Sequence, residues 1–215
     1  EQILAEMMVG REVLFEELEK KDVAREEVLR VNNIKARDNR GLLALRGVSF
    51  SLHSGEILGI AGVEGNGQSE LVEVLTGLRQ VEEGAFTING IEATNMDPLQ
   101  IRELGVSHIP EDRLSRGLSV DATITENMII GNHRKEPYAV RGIHLNRKKI
   151  SERTKRLIKE YDVRTPSQDI VAGNLSGGNM QKMIVAREFS FDSKILIVAQ
   201  PTRGIDIGAI EFVHK

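Results

Sequence analysis

Two glycine-bearing segments of this 215-residue sequence hold the residues whose types and spacing could do chemistry. The first is Gly62-Val63-Glu64-Gly65-Asn66-Gly67-Gln68-Ser69, followed by Glu70. It comes after a short apolar run (residues 56–61, EILGIA) and before Leu71, Val74, Leu75 and Leu78, which recur at helical spacing. That context predicts strand, loop, helix. Glycines let backbone N–H groups encircle phosphate oxygens, and the helix N-terminus adds about half a positive charge. The spacing fits G-x-x-x-x-G-K-[ST], except that Gln68 stands at the lysine position. The second segment is Leu175-Ser176-Gly177-Gly178-Asn179-Met180-Gln181-Lys182. Ser176 can cap a helix there while two glycines bare its first N–H groups to a phosphate presented from outside. Taken singly, each segment also reads as an ordinary turn or capped helix start; together they argue for phosphate chemistry.

The elements that must position these loops follow from periodicity. Residues 28–34 and 47–52 alternate apolar and polar as antiparallel strands do, with Asp38-Asn39-Arg40-Gly41 as the turn, and residues 84–90 (GAFTING) add a short strand ending in an Asn-Gly turn. Residues 105–110 read as a strand leading into Glu111-Asp112-Arg113. Helical signals follow over 125–130, 147–161 and about 179–189, so the middle of the chain is expected to be a helical lobe. Residues 194–199 (KILIVA) have the fully apolar pattern of a strand buried on both faces.

Composition narrows the class. Apolar residues at 40% and charged residues at 28% are ordinary globular values, and aromatics at 4% favour an aliphatic α/β core. A net charge of −3 gives no general attraction to nucleic acid. Cysteine is absent, which removes disulfides and thiolate chemistry, and five scattered histidines lack metal-ligand spacing. The basic stretch Arg147, Lys148, Lys149, Arg153, Lys155 and Arg156 reads as a solvated helix face, with partner docking as the alternative. No apolar stretch is long enough to cross a bilayer, and both ends of the sequence look cut.

With these residues in place, LSGGNMQK (175–182) resembles the signature loop of ATP-binding cassettes, GVEGNGQS (62–69) looks like their P-loop, and PTRGID (201–206) like their D-loop region. The resemblance runs from about Val28 onward. Its finer form is to the C-terminal, second cassette of tandem-cassette ABC importer ATPases for simple sugars and nucleosides. Pro110-Glu111-Asp112-Arg113, residues 202–206 and the linker-like Met7-Met8-Val9-Gly10-Arg11 carry that match. Gln68, Ala199-Gln200 and Pro201-Thr202-Arg203-Gly204 tilt it toward nucleosides.

The resemblance implies an α/β P-loop NTPase fold of the ABC ATPase kind: a central, mostly parallel sheet, an antiparallel β-subdomain and a helical subdomain at about 112–190. These would make up a domain over 25–215, truncated at its C-terminus and preceded by a helical linker over 1–24. It implies ATP and Mg²⁺ as cofactors, with Gly62, Glu64, Gly65, Asn66, Gly67, Gln68, Ser69 and Glu70 around the nucleotide and Ser69 weakly on the metal. Glu111, Asp112 and Arg113 fall in the Q-loop, which couples to membrane subunits, and Gly204 and Asp206 in the D-loop. The implied partners are a preceding cassette of the same polypeptide, two transmembrane permease subunits and, indirectly, an extracellular substrate-binding protein, with no nucleic acid. The implied location is peripheral, on the cytoplasmic face of the cell membrane.

Three departures from the family pattern set the expected mechanism. The lysine that neutralises the β- and γ-phosphates is Gln68, the Asp that helps hold Mg²⁺ is Ala199, and the Glu that polarises the attacking water is Gln200. Replacing a charged phosphate contact by a neutral one predicts roughly tenfold weaker nucleotide binding. The signature residues Leu175, Ser176, Gly177, Gly178, Asn179 and Gln181 remain, and cassettes pair face to face, so they are expected to act on nucleotide held by the partner cassette. Glu111 could stand near Mg²⁺ in place of the missing Asp or pair with Arg113; Arg40 could stack on adenine or be a turn charge. The family's switch histidine falls beyond Lys215, and His214 is not that residue. The expected function is an ATP-binding subunit that energises uptake through ATP-driven dimer closure. The alternatives are a non-catalytic, nucleotide-gated interaction module and a soluble cassette ATPase outside transport.

Overall fold

A computed structural model describes residues 26–205. The linker expected over 1–24, Asp206 and His214 lie outside the described residues. The chain divides into two compact units: one holds residues 26–108 and Asp192–Ile197, the other Ile109–Phe191 and 198–205.

The first unit is built on the predicted alternation. Strands β1 (Glu27–Arg37) and β2 (Leu43–His53) pair antiparallel, β3 (Glu83–Ile88) pairs with β1, and β4 (Ile91–Glu92) with β3, giving the order β2-β1-β3-β4. The turn between β1 and β2 is organised by Asp38, which accepts hydrogen bonds from the backbone N–H of Arg40 and Leu42 and from the Arg40 guanidinium. Of the two roles open to Arg40, the turn charge is the one its contacts describe.

Along β1 the inward residues switch parity, from Leu29 and Val31 to Ile34 and Ala36. A bulge at Asn32 and Asn33 makes the switch, with Asn33 at φ 50° and the ladder register shifting between Val31 and Ile34. Gly84 of β3 passes so close to the bulge that a Cβ would overlap the carbonyl oxygens of Asn32 and Asn33, and its φ of +87° disfavours any side chain. Helix α1 (Gln68–Leu75) lays Leu71, Val74 and Leu75 into the core against β1 and β2. Helix α2 (Pro98–Glu103) starts at a capping box between Asp97 and Gln100, with Pro98 at its first position, and buries Ile101.

Strand β5 (Val106–Ile109) pairs with β8 (Ile195–Val198) as a two-stranded sheet. Here two expectations are corrected. Residues 56–61 form no strand, and Ile57, Leu58 and Ile60 are exposed, Ile57 at 90%. Strand β8 buries Ile195 but leaves Val198 exposed, so it is not covered on both faces. A fully apolar run becomes a buried strand only where neighbouring strands satisfy its backbone, and among the described residues the β5–β8 pair offers 56–61 no ladder.

The second unit packs α3 (Ile124–Ile129), α4 (Arg147–Glu160) and α5 (Gly177–Phe189) around Ile124, Met128, Leu157, Met183 and Ile184. Thr123 and Glu126 form the capping box of α3, and the fully buried Asn127 side chain bonds both the backbone N–H and the carbonyl of Ser119. A hairpin absent from the expected helical lobe, β6 (Ala139–Val140) and β7 (His144–Leu145), precedes α4.

The bulge gives a testable outcome. Gly84→Ala should lower stability by at least about 2 kcal/mol through overlap and positive φ, read as a lower urea midpoint at unchanged slope. Asn33→Gly should leave the midpoint nearly unmoved.

Candidate nucleotide-binding site

The phosphate-loop candidates all lie in the first unit. Gly67 is the left-handed N-cap of α1, at φ +100°, and a Cβ on it would come within 3.0 Å of the Ala44 carbonyl oxygen and 3.1 Å of Leu45 Cδ2. Glycine is therefore required where the loop meets β2. No side chain caps α1, so its first N–H groups, those of Gln68, Ser69 and Glu70, point out of an open helix end. Gly62, Glu64, Gly65 and Asn66 are exposed along the loop, with Gly65 at φ +86°. Gln68 folds back over the loop and donates from Nε2 to the Val63 carbonyl at 3.1 Å; a Cβ on Gly62 would overlap that amide.

These residues fit the phosphate groups of a nucleotide through backbone donors and the helix dipole, with no cation among the loop side chains. For a metal ion they offer the Ser69 hydroxyl, the Asn66 amide oxygen and the Glu64 and Glu70 carboxylates, and the described residues contain no cluster of three His, Asp or Glu placed to hold one.

The remaining described candidates lie in the second unit, and it brings most of them together. Ser176 is the N-cap of α5, accepting from the Asn179 backbone N–H at 3.4 Å and from Asn179 Nδ2 at 2.9 Å. Asn179 Oδ1 in turn accepts from the Arg164 backbone N–H. Ser176 is exposed and Gly177 half-buried, whereas Leu175, Gly178 and Gln181 are buried. Gln181, three residues before Ile184 and four before Val185, falls on the buried face of α5 and is only 3% exposed.

Asp112 caps a single π-helical turn, Arg113–Gly117, accepting from the Ser115 hydroxyl and from the N–H groups of Leu114 and Ser115. The Ser115 hydroxyl, with these amides, holds the Asp112 carboxyl below its ordinary value. That turn aims Arg113, which donates from Nη1 to the Arg203 carbonyl at 2.7 Å and from Nη2 to the Gly204 carbonyl at 2.9 Å.

Glu111 pairs with the Arg203 guanidinium, which corrects the expected pairing with Arg113. The reason is geometric: both Arg113 amino groups are taken by backbone carbonyls, leaving Arg203 as the cation open to Glu111. Gly177 sits beside the same Arg113 guanidinium, since a Cβ there would lie 2.9 Å from Arg113 Nη2. Ala199 donates its N–H to the Ile109 carbonyl, and Gln200 follows at φ 42°, opening the turn that ends at Gly204. Ala199 carries no ligand atom in its side chain, and Gln200 no charge.

An open, glycine-shaped helix N-terminus in one unit and a serine-capped glycine helix start in the other describe an ATP-binding cassette. The family described as "ABC transporter" matches residues 45–203, most of the chain, and the protein belongs to that family. It is 48% identical over 212 residues to the guanosine import ATP-binding protein NupO of Bacillus subtilis, covering 99% of this chain and 41% of NupO. It is 42% identical over 214 residues to the nucleoside import ATP-binding protein NupA of Lactococcus lactis, covering 100% of this chain and 42% of NupA. The glucose import ATP-binding protein TsgD13 of Haloferax volcanii is 44% identical over 214 residues, with coverage of 99% and 39%. The chain thus spans about two-fifths of the length of these curated relatives.

Among solved structures, a nucleotide-free ATP-binding cassette from an ABC transporter superposes with TM-score 0.67 at 25% identity, covering 87% of this chain and 74% of that one. A dimeric post-hydrolysis state of the cassette MJ0796, bound to ADP and Pi, superposes with TM-score 0.71 at 20% identity, covering 86% and 79%. These matches establish the ABC ATPase fold.

Two outcomes test the site. Gln68→Lys should tighten ATP binding about tenfold in equilibrium titration with a fluorescent ATP analogue, and unchanged affinity would mean that residue 68 does not meet phosphate. Arg113→Ala should raise the rate of tryptic cleavage after Arg203 severalfold while Arg116→Ala does not, because only the first frees the 200–204 turn.

Proposed function

We propose that this chain is the second cassette of a tandem ATP-binding subunit of an importer for nucleosides or simple sugars, working at the cytoplasmic face of the membrane beside two permease subunits. Its own site would bind ATP weakly and turn it over little. Its main output would be closure of a shared dimer, in which it donates a signature loop to the nucleotide of the preceding cassette.

The observation that carries this reading is an asymmetry of charge. Gln68, Ala199 and Gln200 leave the cis site without the cation, the metal-holding carboxylate and the water-polarising carboxylate of its family, while Ser176 and Gly177 keep a capped helix start. Where ATP does bind, Gly65, Gly67 and the open N–H groups of α1 would hold its phosphates, and Ser69 would be a weak ligand to Mg²⁺. Bound Mg²⁺ supplies charge neutralisation between phosphates, which α1's dipole supplements only partly.

Similarity to import ATP-binding proteins of which the chain spans about two-fifths supports a half-subunit role, and NupO and NupA support the nucleoside branch. No helix among the described residues is long and apolar enough to cross a membrane.

Phosphate release by the purified chain with Mg-ATP should be negligible. In the complete tandem protein, Ser176→Arg should lower ATP turnover at least about tenfold, because a bulky cation would fill the helix start that meets the partner's γ-phosphate. Robust turnover by the chain alone, or full activity of the Ser176→Arg protein, would each sink this assignment.

A further inference from the structure

Residues 133–160 hold ten Lys and Arg against three Glu, an excess of seven positive charges in a chain whose net charge is −3. The nucleotide and signature loops use none of them. Most lie on one structure, the β6–β7 hairpin joined to α4. Asn146 caps α4 while its backbone N–H bonds the Tyr138 carbonyl at the hairpin base. Arg153, only 6% exposed, pins the same base from α4: it donates to the Tyr138 hydroxyl and to Ser190 Oγ, with its guanidinium 5.2 Å from the Tyr138 ring centroid. Hairpin and helix are thereby held as one piece.

Helical periodicity sorts the rest of α4. Ile150, Arg153, Thr154 and Leu157 form its buried face, which leaves Lys148, Lys149, Lys155, Arg156 and Lys159 together on the exposed face with Glu152 and Glu160 among them. Glu152 neutralises Lys149 at 3.3 Å. The hairpin adds Arg141 and an apolar tip, with Val140 54%, Ile143 77% and Leu145 52% exposed; Arg141 and Gly142 both take positive φ at the turn. Large aliphatic side chains held in water beside a field of long, flexible cations have the makeup of a surface that meets anionic headgroups and the shallow acyl boundary.

We infer that the β6–β7 hairpin and the exposed face of α4 dock on an anionic lipid surface, with the Lys and Arg side chains over the headgroups and Ile143 at the acyl boundary. Charge complementarity selects this occupant. The cations are long, snorkelling side chains spread over a helix face, which suits many interchangeable phosphates, and an exposed aliphatic tip gains by entering a fluid interface. Direct membrane contact would orient the cassette independently of its permease contacts. The inference rests on the importer reading only in placing the chain beside a membrane.

The test is flotation of the purified chain with vesicles of phosphatidylcholine alone or mixed with phosphatidylglycerol. Binding should require phosphatidylglycerol and be lost in about 0.5 M salt; each removed charge should weaken it about fivefold, so that K148E/K155E/K159E abolishes it. Ile143→Asp should weaken binding at constant salt. All these positions are exposed, and unchanged circular dichroism melts, with Lys→Gln versions in parallel, confirm that the variants fold.

Equal binding to both vesicle types, or binding indifferent to the triple variant, overturns the inference. Salt-sensitive binding to polyglutamate without vesicle flotation also overturns it, assigning the face to an acidic protein instead. Because flotation needs no nucleotide and Ser176→Arg is read by ATP turnover, failure of lipid binding and failure of the proposed function are distinguishable.

Discussion

The Arg113 guanidinium connects three loops that would otherwise be separate pieces of surface. It spans the carbonyls of Arg203 and Gly204 and lies against Gly177, so the segment after β5, the turn after β8 and the start of α5 share one charged group. Its aim is set locally. Asp112 caps the π-helical turn, and Gly117 lets that turn close on α5, because a Cβ there would stand 2.6 Å from Ile184 Cδ1. Gly177 is thus held to glycine by the room an arginine takes. A guanidinium that never loses its charge, bidentate on backbone carbonyls, fixes the turn by direction as well as by attraction.

Charge is distributed against that frame. At the α1 loop the only positive potential comes from the helix end, since Gln68 spends its amide on the Val63 carbonyl. At the 200–204 turn a cation and a carboxylate, Arg203 and Glu111, satisfy one another, so the segment expected to touch metal is occupied by an internal ion pair. The proposed division of labour is an electrostatic statement: the chain would supply the parts that order and align rather than the parts that neutralise.

How much was legible in the sequence depended on the range of the deciding interaction. Alternation and the Asn89-Gly90 turn located β1, β2 and β3, and helical spacing located α4 and α5 within a residue or two but carried α1 three residues too far, to the exposed Leu78. The helix starts at Gly67 and Ser176 were readable because cap chemistry is written in consecutive residues. The Glu111–Arg203 pair was not, since its partners stand 92 positions apart and nothing local favours Arg203 over Arg113. The burial of Gln181 escapes a motif because motif position and helix face are different coordinates, and helix geometry decides burial. The strand expected at 56–61 failed because apolar character specifies a wish for burial without naming the ladder that grants it. The β6–β7 hairpin has two pairs and no alternation, leaving Arg141-Gly142 as its one available signal.

The apolar run before the phosphate loop bears on what any binding measurement means. The loop is anchored on its far side, where Gly67 meets β2 and α1 meets the core, but on its near side Ile57, Leu58 and Ile60 have neither a ladder nor burial. A ligand that needs the whole loop in one shape depends on how firmly that approach is held, since each residue it has to order costs about 1–2 kcal/mol of backbone entropy. Apparent affinity then reports the population of the shaped loop together with its contacts. Whatever supports the near side, even far from any phosphate, would act on the nucleotide as a positive effector.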